Sequence, residues 1–185
     1  MTDLIRLTDK RPDAEIKTLL DAVIADAASV WKETYDGEYP KVGFGLGRLR
    51  QVDCTGGGTP GTTTGVSYVT SKYFWALSVQ TAGAWQDWFD ITTSETAYLV
   101  ITGVFCLDAT PNVTEIRPYV DGDDFPVINV EELYTWDIAR AFFSKPFAIK
   151  PQKKFRMRIV GKTAGQANFG LMGYVIAKRS YLITE

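Results

Sequence analysis

The residues that most often carry chemistry are scarce in this chain. Histidine is absent from the 185 residues, and cysteine occurs twice, at Cys54 and Cys106. Without histidine, the sequence excludes a Ser-His-Asp or Cys-His catalytic relay and a zinc site with His ligands. Two cysteines are also too few for a Cys-only zinc site or a disulfide scaffold. Chemistry would therefore depend on glycine-rich segments, carboxylates, aromatic rings or basic side chains.

Two glycine-containing segments are similar to nucleotide-binding motifs but depart from both. The Gly-Lys-Thr run at 161–163 matches the end of a phosphate-binding loop, but the glycine required five residues earlier is Arg156. The alternating glycines at 43–47 bring the third glycine one residue too early for the dinucleotide fingerprint. We therefore expect a non-enzymatic protein with no catalytic residue, metal ion or cofactor.

An aromatic and acidic segment contains Trp85, Trp88 and Phe89 together with Asp87 and Asp90. Exposed aromatic rings beside carboxylates are typical of sugar-binding modules, because rings stack on sugars while carboxylates accept hydrogen bonds from hydroxyl groups. Trp85 and Phe89 share one strand parity and Trp88 has the other, so at least one ring is expected in the core. The segment therefore predicts either packing in a core or interface, or a ligand platform.

Charge is distributed unevenly along the chain. Residues 145–185 contain nine Lys and Arg and one acid, a net charge of +8; because the whole chain has −2, the first 144 residues have −10. Lys154, Arg156 and Arg158 alternate with apolar residues, which predicts a strand with one basic face. A nucleic-acid partner is not expected, because the pI is near 5.3 and Phe155 lies on the opposite face. Either the basic face meets an acidic neighbour, or both charge sets interleave on one surface.

Residues 121–124, Asp-Gly-Asp-Asp, form a cluster of acids in a predicted turn. Calcium binds such carboxylates, but the spacing differs from the EF-hand pattern and no bidentate glutamate follows at the required distance. Three interpretations remain open: a solvated turn, a cation site, and an acidic knob for a basic partner.

Residues 12–35 predict an amphipathic helix. Pro12 suits a first-turn position, Asp13 and Glu15 lie where the helix dipole favours negative charge, and apolar residues recur at three- and four-residue steps. Part of this stripe follows the spacing of a coiled-coil seam, but it is too short to form a stable coiled coil alone. The helix is therefore expected to pack either on a sheet of its own chain or on neighbouring subunits.

After the helix, the sequence predicts strands. Glycine alternation at 42–48 predicts a strand with one nearly bare face, the Gly/Thr-rich segment 54–65 predicts a surface loop, and 131–140 predicts a helical turn or a crossing between sheets. Strand-forming runs separated by turn signals follow at 66–70, 73–81, 85–91, 97–107, 115–120, 127–130, 141–149, 154–160, 169–177 and 180–184.

Short strands without interleaved helices predict an all-β fold. We expect an N-terminal helical arm over 1–40 and an antiparallel β-sandwich over 41–185, with a jelly roll as the first choice and an immunoglobulin-like sandwich as the second. The first four residues lack the features of a signal peptide, and no apolar stretch approaches the length of a membrane span. We therefore expect a protein made in a cytoplasm, without a membrane partner and with reduced thiols.

Over 147–161 the chain resembles the late strands of single jelly-roll virion proteins. In those proteins an apolar-Pro turn is followed by a strand of alternating basic and apolar residues, and the similarity of texture extends over about residues 70–185. The resemblance implies a capsid, decoration or other particle-forming role, as a trimer or larger ring, in a virus or tailed-phage head. It identifies no family-specific site residue.

The predicted function is therefore structural: a self-associating virion component, whose partners are further copies of itself and other virion proteins. Its small size favours decoration of a shell, and its location would be the virion. The alternative is a carbohydrate-binding sandwich with a ligand platform at Trp85 or Trp88. The expected oligomer contacts combine the helical seam, the basic strand and the acidic loop, at Ile16, Leu20, Val23, Ala27, Trp31, Arg156, Arg158, Asp123 and Asp124.

Overall fold

The computed structural model describes residues 5–32, 43–55, 75, 77–135 and 138–183. Strands predominate among them, and the four helices of this part are short except for the first. The elements in chain order are β1 (Leu7–Thr8), α1 (Asp13–Trp31), β2 (Phe44–Arg48), α2 (Gln51–Thr55), β3 (Leu77–Val79), β4 (Gln86–Thr92), β5 (Ala97–Cys106), β6 (Val113–Val120), β7 (Asp123–Asp124), β8 (Ile128–Asn129), α3 (Glu132–Thr135), β9 (Arg140–Ile149), β10 (Lys154–Gly161), β11 (Gly165–Ala167), β12 (Phe169–Lys178) and α4 (Arg179–Ile183).

Two antiparallel sheets form a sandwich, as the sequence predicted. The first sheet has the strand order β1-β9-β5-β12-β2, and the second has the order β4-β10-β6-β7, with β8 also paired to β6. The short strands β11 and β3 form a separate pair. Consecutive long strands mostly alternate between the sheets, so the chain repeatedly crosses the core.

The strand pairs are nested along the chain. β2 pairs with β12, β4 with β10, and β5 with β9, while β6 pairs with β7 and β8 between them. Each outer pair therefore encloses the next one in sequence. This is the pattern of one long antiparallel hairpin that has been wrapped around a core.

Aromatic side chains join the two sheets. Phe147 of the first sheet lies 6.4 Å from Phe155 of the second, measured between ring centroids, and Phe169 lies 5.6 Å from Trp88. Such pairs contribute about 1 kcal/mol each beyond the area that they bury. Aliphatic residues of both sheets complete this core, which is continuous from one sheet to the other.

Helix α1 covers the outer face of the first sheet. It ends at Trp31 because Lys32 adopts a left-handed conformation (φ 56°) that caps the last turn, whereas the sequence predicted an end near residue 35. The Trp31 ring packs edge-on against Phe44 and Tyr98, each at 5.5 Å. Lys150 forms an ion pair of 3.1 Å with Asp26 of the helix. The helix is therefore fastened to its own sheet by apolar and polar contacts together.

Glycines allow close backbone contact inside the first sheet. A Cβ on Gly173 of β12 would lie 1.9 Å from the carbonyl oxygen of Val100, at a point where the register with β5 shifts. A Cβ on Gly170 would lie 2.4 Å from the Trp75 ring. The strand that the sequence predicted over 169–177 is confirmed, and its glycines let it pack closely.

The C-terminal prediction was wrong. Residues 180–184 were expected to form a strand, but α4 follows β12 directly. Its Leu182 side chain occupies the bare face of β2, 3.0 Å from the position of a Cβ on Gly45 and 3.1 Å from one on Gly47. Local alternation could not show that a helical turn brings an apolar side chain onto these glycines.

Two other predictions concern the Gly/Thr-rich segment. Cys54 was placed at the start of a loop over 54–65, but it is fully buried in α2. Helix α2 also includes Thr55, and residues 56–65 of that loop and the predicted strand at 66–70 lie outside the described residues.

Substitution of Gly173 by alanine is expected to lower the free energy of unfolding by about 3 kcal/mol, because the new Cβ meets backbone rather than a side chain that can move. Gly83→Ala is the control: Gly83 has a φ of 69° and open space around it, so alanine there should cost about 1 kcal/mol. Urea unfolding measures both variants. Equal losses would contradict the close approach of β12 to β5.

Asp26 gives the packing of α1 a pH dependence. The bond from Lys150 holds the pKa of its carboxyl below the usual 3.8, against the raising effect of burial, and the Tyr98 hydroxyl adds to the lowering with a 3.0 Å bond. A lowered folded-state pKa stabilises the fold above the unfolded-state pKa, and this contribution disappears as the pH falls through the folded-state pKa.

In the variant Tyr98→Phe, we expect the pKa of Asp26 to rise, because one donor to its carboxylate is lost while the ring remains. Lys150→Met should raise it further, since Lys150 has the larger effect. NMR titration of the Asp26 carboxyl carbon measures both shifts. An unchanged pKa in both variants would show that the helix is not held by these bonds.

Candidate functional site

The outer face of the second sheet contains most of the charged side chains that the sequence singled out. Because side chains alternate along a strand, these residues lie opposite those that fill the core. We call this surface the charged face. It consists of Trp85, Asp87 and Asp90 in or beside β4, Lys154, Arg156 and Arg158 in β10, Arg117 and Tyr119 in β6, and Asp124 in β7. Asp123 of β7 lies at the edge of this face, opposite Val120.

Strand β10 has the alternation that the sequence predicted. Phe155, Met157 and Ile159 are buried, while Arg156 and Arg158 lie on the charged face. Since β10 lies between β4 and β6 in the sheet, both neighbouring strands determine which charges surround the basic side chains.

A β-bulge in β4 determines which aromatic rings reach the surface. The register with β10 skips one residue. Asp87 lies opposite Arg158 and Phe89 lies opposite Met157, which leaves Trp88 as the extra residue of β4. Trp88 and Phe89 are both 0 % exposed, so both point into the core. The prediction that at least one ring lies in the core is confirmed. Of the two tryptophans proposed as a ligand platform, Trp85 alone reaches the surface.

Ion pairs within the chain join β4 to β10. Arg156 donates hydrogen bonds of 2.8 and 3.0 Å to the two carboxylate oxygens of Asp87. Lys154 Nζ lies 3.3 Å from the Asp90 carboxylate. These side chains are about a third exposed or more, so each pair is worth about 1 kcal/mol or less. Their larger effect is to hold the guanidinium and carboxylate groups in fixed positions.

The acidic run at 121–124 forms the tip of the β6–β7 hairpin. Asp121 and Gly122 have φ angles of 51° and 93°, as a two-residue turn with left-handed residues requires. Asp124 accepts two bonds from the Arg117 guanidinium, and Asp123 is exposed. Among the described residues, no cluster of three or more metal-binding side chains occurs, here or elsewhere.

Guanidinium groups and aromatic rings alternate across the charged face. Tyr119 lies between Arg117 and Arg156, whose central carbons are 5.4 and 5.5 Å from its ring centroid. Arg158 lies over the Trp85 ring at 5.9 Å. Cation–π contacts of this kind add about 0.5–1 kcal/mol each at exposed sites. The basic and acidic side chains of this face therefore interleave, and much of the counter-charge of β10 comes from its own chain.

The residues of the predicted helical seam contact the first sheet of their own chain. Val23 and Ala27 are buried in the cluster beneath the helix, and Ile16 is 2 % exposed. Leu20 and Trp31 are half-buried at the edge of the same cluster. A role of this seam between subunits stays a prediction, for which these two partly exposed side chains are the accessible members.

A buried polar cluster lies away from the charged face, between α2 and α4. Arg50 donates to the Asp53 carboxylate at 2.8 Å, and the Tyr181 hydroxyl donates to it at 3.0 Å. The neighbouring Cys54 and the distant Cys106 are free, buried thiols. Burial raises the pKa of both, which disfavours the reactive thiolate. The cluster joins two helices at the edge of the sandwich.

Sequence reasoning did not single out Arg117 and Tyr119. Their strand was predicted, and the alternation of Glu115, Arg117 and Tyr119 with apolar positions is readable in the sequence. Pro118 obscured this pattern, because proline is uncommon inside strands.

None of the helices in the described ranges is long and apolar enough to cross a membrane.

Comparisons with known proteins identify no family. No protein-family model matches the chain, and no curated protein matches it. Among solved structures, a ruminal GH26 endo-beta-1,4-mannanase is similar over 76 % of this chain and 26 % of the mannanase chain, with 15 % sequence identity and a TM-score of 0.28. The chain thus spans about a quarter of that enzyme's length, and a likeness this weak carries no argument about fold or function.

Proposed function

We propose that this protein is a non-enzymatic, self-associating structural component of a virus or phage particle, built on a jelly roll. The observation that carries the proposal is the nested pairing of β2 with β12, β4 with β10, and β5 with β9. A jelly roll is a double-sheet architecture of eight strands and two Greek keys, and viral capsid domains use it. The order of the two sheets supports this topology over an immunoglobulin-like sandwich.

Lectin domains also use the jelly roll, so the fold is common to structural and sugar-binding proteins. The side chains on the surface distinguish the two roles. Asp87, the carboxylate nearest to Trp85 in sequence, is held by Arg156 through both its oxygens. One face of the Trp85 ring lies beneath Arg158. An occupied carboxylate and a partly covered ring are poorly arranged to bind a sugar, which favours the structural role.

The charged face has the composition of a protein interface. Arg, Tyr and Trp are enriched at the centres of protein–protein interfaces, and this face presents Trp85, Tyr119 and three arginines. The ion pairs and ring contacts hold these side chains in place before binding, which reduces the entropy lost on association. Further copies of the chain and other virion proteins are the partners that the proposal implies.

The oligomeric state tests the proposal. Light scattering over a concentration series, at low and high salt, should show a defined trimer or larger ring, and negative-stain microscopy should show its symmetry. A monomer at every concentration and both salts would contradict self-association.

Carbohydrate binding is the second candidate, because Trp85 is a surface ring beside acidic residues. If it is correct, the protein binds members of a glycan array and Trp85→Ala abolishes the binding, while Trp31→Ala, which removes a ring on the opposite side of the sandwich, leaves it intact. Absence of glycan binding by the unmodified protein would contradict this candidate.

A further inference from the structure

Arg158 is the least satisfied of the three arginines on the charged face. Its Nε is buried without a hydrogen-bond partner among the described residues. Its bond to the Trp85 carbonyl oxygen and its approach to the Asp87 carboxylate are both long, at 3.4 Å. Asp87 is already held by Arg156 at 2.8 and 3.0 Å. A half-buried guanidinium normally has strong acceptors, because desolvating its charge is costly without them.

The neighbouring strand adds a second unfavourable feature. Arg158 lies directly opposite Arg117 in the register of β10 with β6. Like charges in this position destabilise a sheet, and the Asp124 carboxylate that offsets Arg117 lies on the far side, in β7. An additional carboxylate at the accessible part of the Arg158 side chain, which is 29 % exposed, would therefore give the guanidinium a strong acceptor and offset the repulsion.

Asp123 is a suitable source of that carboxylate, but not within the same chain. It is exposed at the hairpin tip and lies opposite Val120, which lies opposite Phe155 of β10. Two strand spacings and three residues along the strand place its backbone roughly 14 Å from that of Arg158. The acid lies at the β7 edge of the sheet and the guanidinium near the β4 edge.

We infer that Asp123 of one copy binds Arg158 of the next copy, in a head-to-tail contact. This rests on the proposed self-association and names the residues that carry it. A contact between opposite edges of one sheet is heterologous, so it generates a ring when the rotation closes. The Trp85 ring beneath Arg158 keeps the guanidinium in place for the incoming carboxylate.

The balance of charge on the face favours a protein partner over a polyanion. Asp87, Asp90 and Asp124 lie among the basic side chains and form ion pairs with them. A nucleic-acid backbone would bring its phosphates against these carboxylates. At the tip of the narrow hairpin, Asp121 and Asp124 are paired with Lys153 and Arg117 of their own chain. Asp123 can therefore reach Arg158 without bringing a group of unpaired acids against these carboxylates.

A charge exchange between copies tests the inference. We expect Asp123→Lys and Arg158→Glu each to weaken self-association by about tenfold or more, because each places like charges in the contact. A 1:1 mixture of the two variants should associate again, since the Lys hairpin of one fits the Glu site of the other, and the unmodified Asp hairpin fits the unmodified Arg site. Alternation of the variants restores every contact in a ring with an even number of copies and two of the three contacts in a trimer, so a dimer or open trimer also counts as recovery. Restoration in the mixture also shows that both variants are folded. Glu95→Lys and Arg140→Glu are matched controls, because they make the same charge changes at exposed positions away from this contact.

Sedimentation velocity of the full chain distinguishes the outcomes. Loss in each single variant, recovery in the mixture and no change in the controls support the contact. If the unmodified protein associates and the variants associate equally well, this inference is wrong and the proposed function stands. Unmodified protein that is monomeric at every concentration overturns both. A mixture that stays dissociated, although each variant has the thermal stability of the unmodified protein, overturns the pairing of Asp123 with Arg158.

Discussion

Two consecutive rings of one strand, Trp88 and Phe89, are both fully buried, and the architecture of the second sheet depends on this. A regular strand places consecutive side chains on opposite faces. The bulge at Trp88 resolves the conflict, because it adds one residue to β4 and keeps Asp87 and Asp90 on the outer face. The core gains a ring that contacts Phe169 of the first sheet, at 5.6 Å. The outer face gains two carboxylates beside the basic strand.

The separation of charge along the sequence disappears in the fold. The basic segment that begins near residue 145 includes β10, and the strand order places β10 between strands from the acidic part of the chain. Nested pairing produces this result, since it brings late strands beside early ones. Alternation predicted the basic face of β10 correctly, because it depends on local geometry alone. The identity of its partners, Asp87 and Asp90, depends on strand order, which a single sequence without motifs does not specify.

The packing partner of helix α1 also depends on residues that are distant in the sequence. Its periodicity predicted an apolar stripe, and Val23 and Ala27 are indeed buried. The spacing of that stripe suits a sheet of its own chain and a neighbouring subunit equally, because both would present flat apolar surfaces. What distinguishes them is a polar contact at long range: Asp26 meets Lys150 and Tyr98, which lie more than 70 residues away. The wrong prediction at 180–184 has a similar cause, because the glycine face that receives Leu182 belongs to a distant strand.

Most of the charges on the second sheet form ion pairs within the chain. Few unpaired charges therefore remain on this surface for salt to screen. Ion pairs such as Arg156 with Asp87 are present before any association, so they contribute little to a difference between free and bound states. A salt-sensitive association must therefore depend on groups that gain a partner only when copies meet. In the contact that we propose, Arg158, with two long contacts of 3.4 Å, and the exposed Asp123 are groups of this kind. The remaining charges hold one another in place on this face, so the proposed head-to-tail direction depends on the few charges that are not paired within the chain.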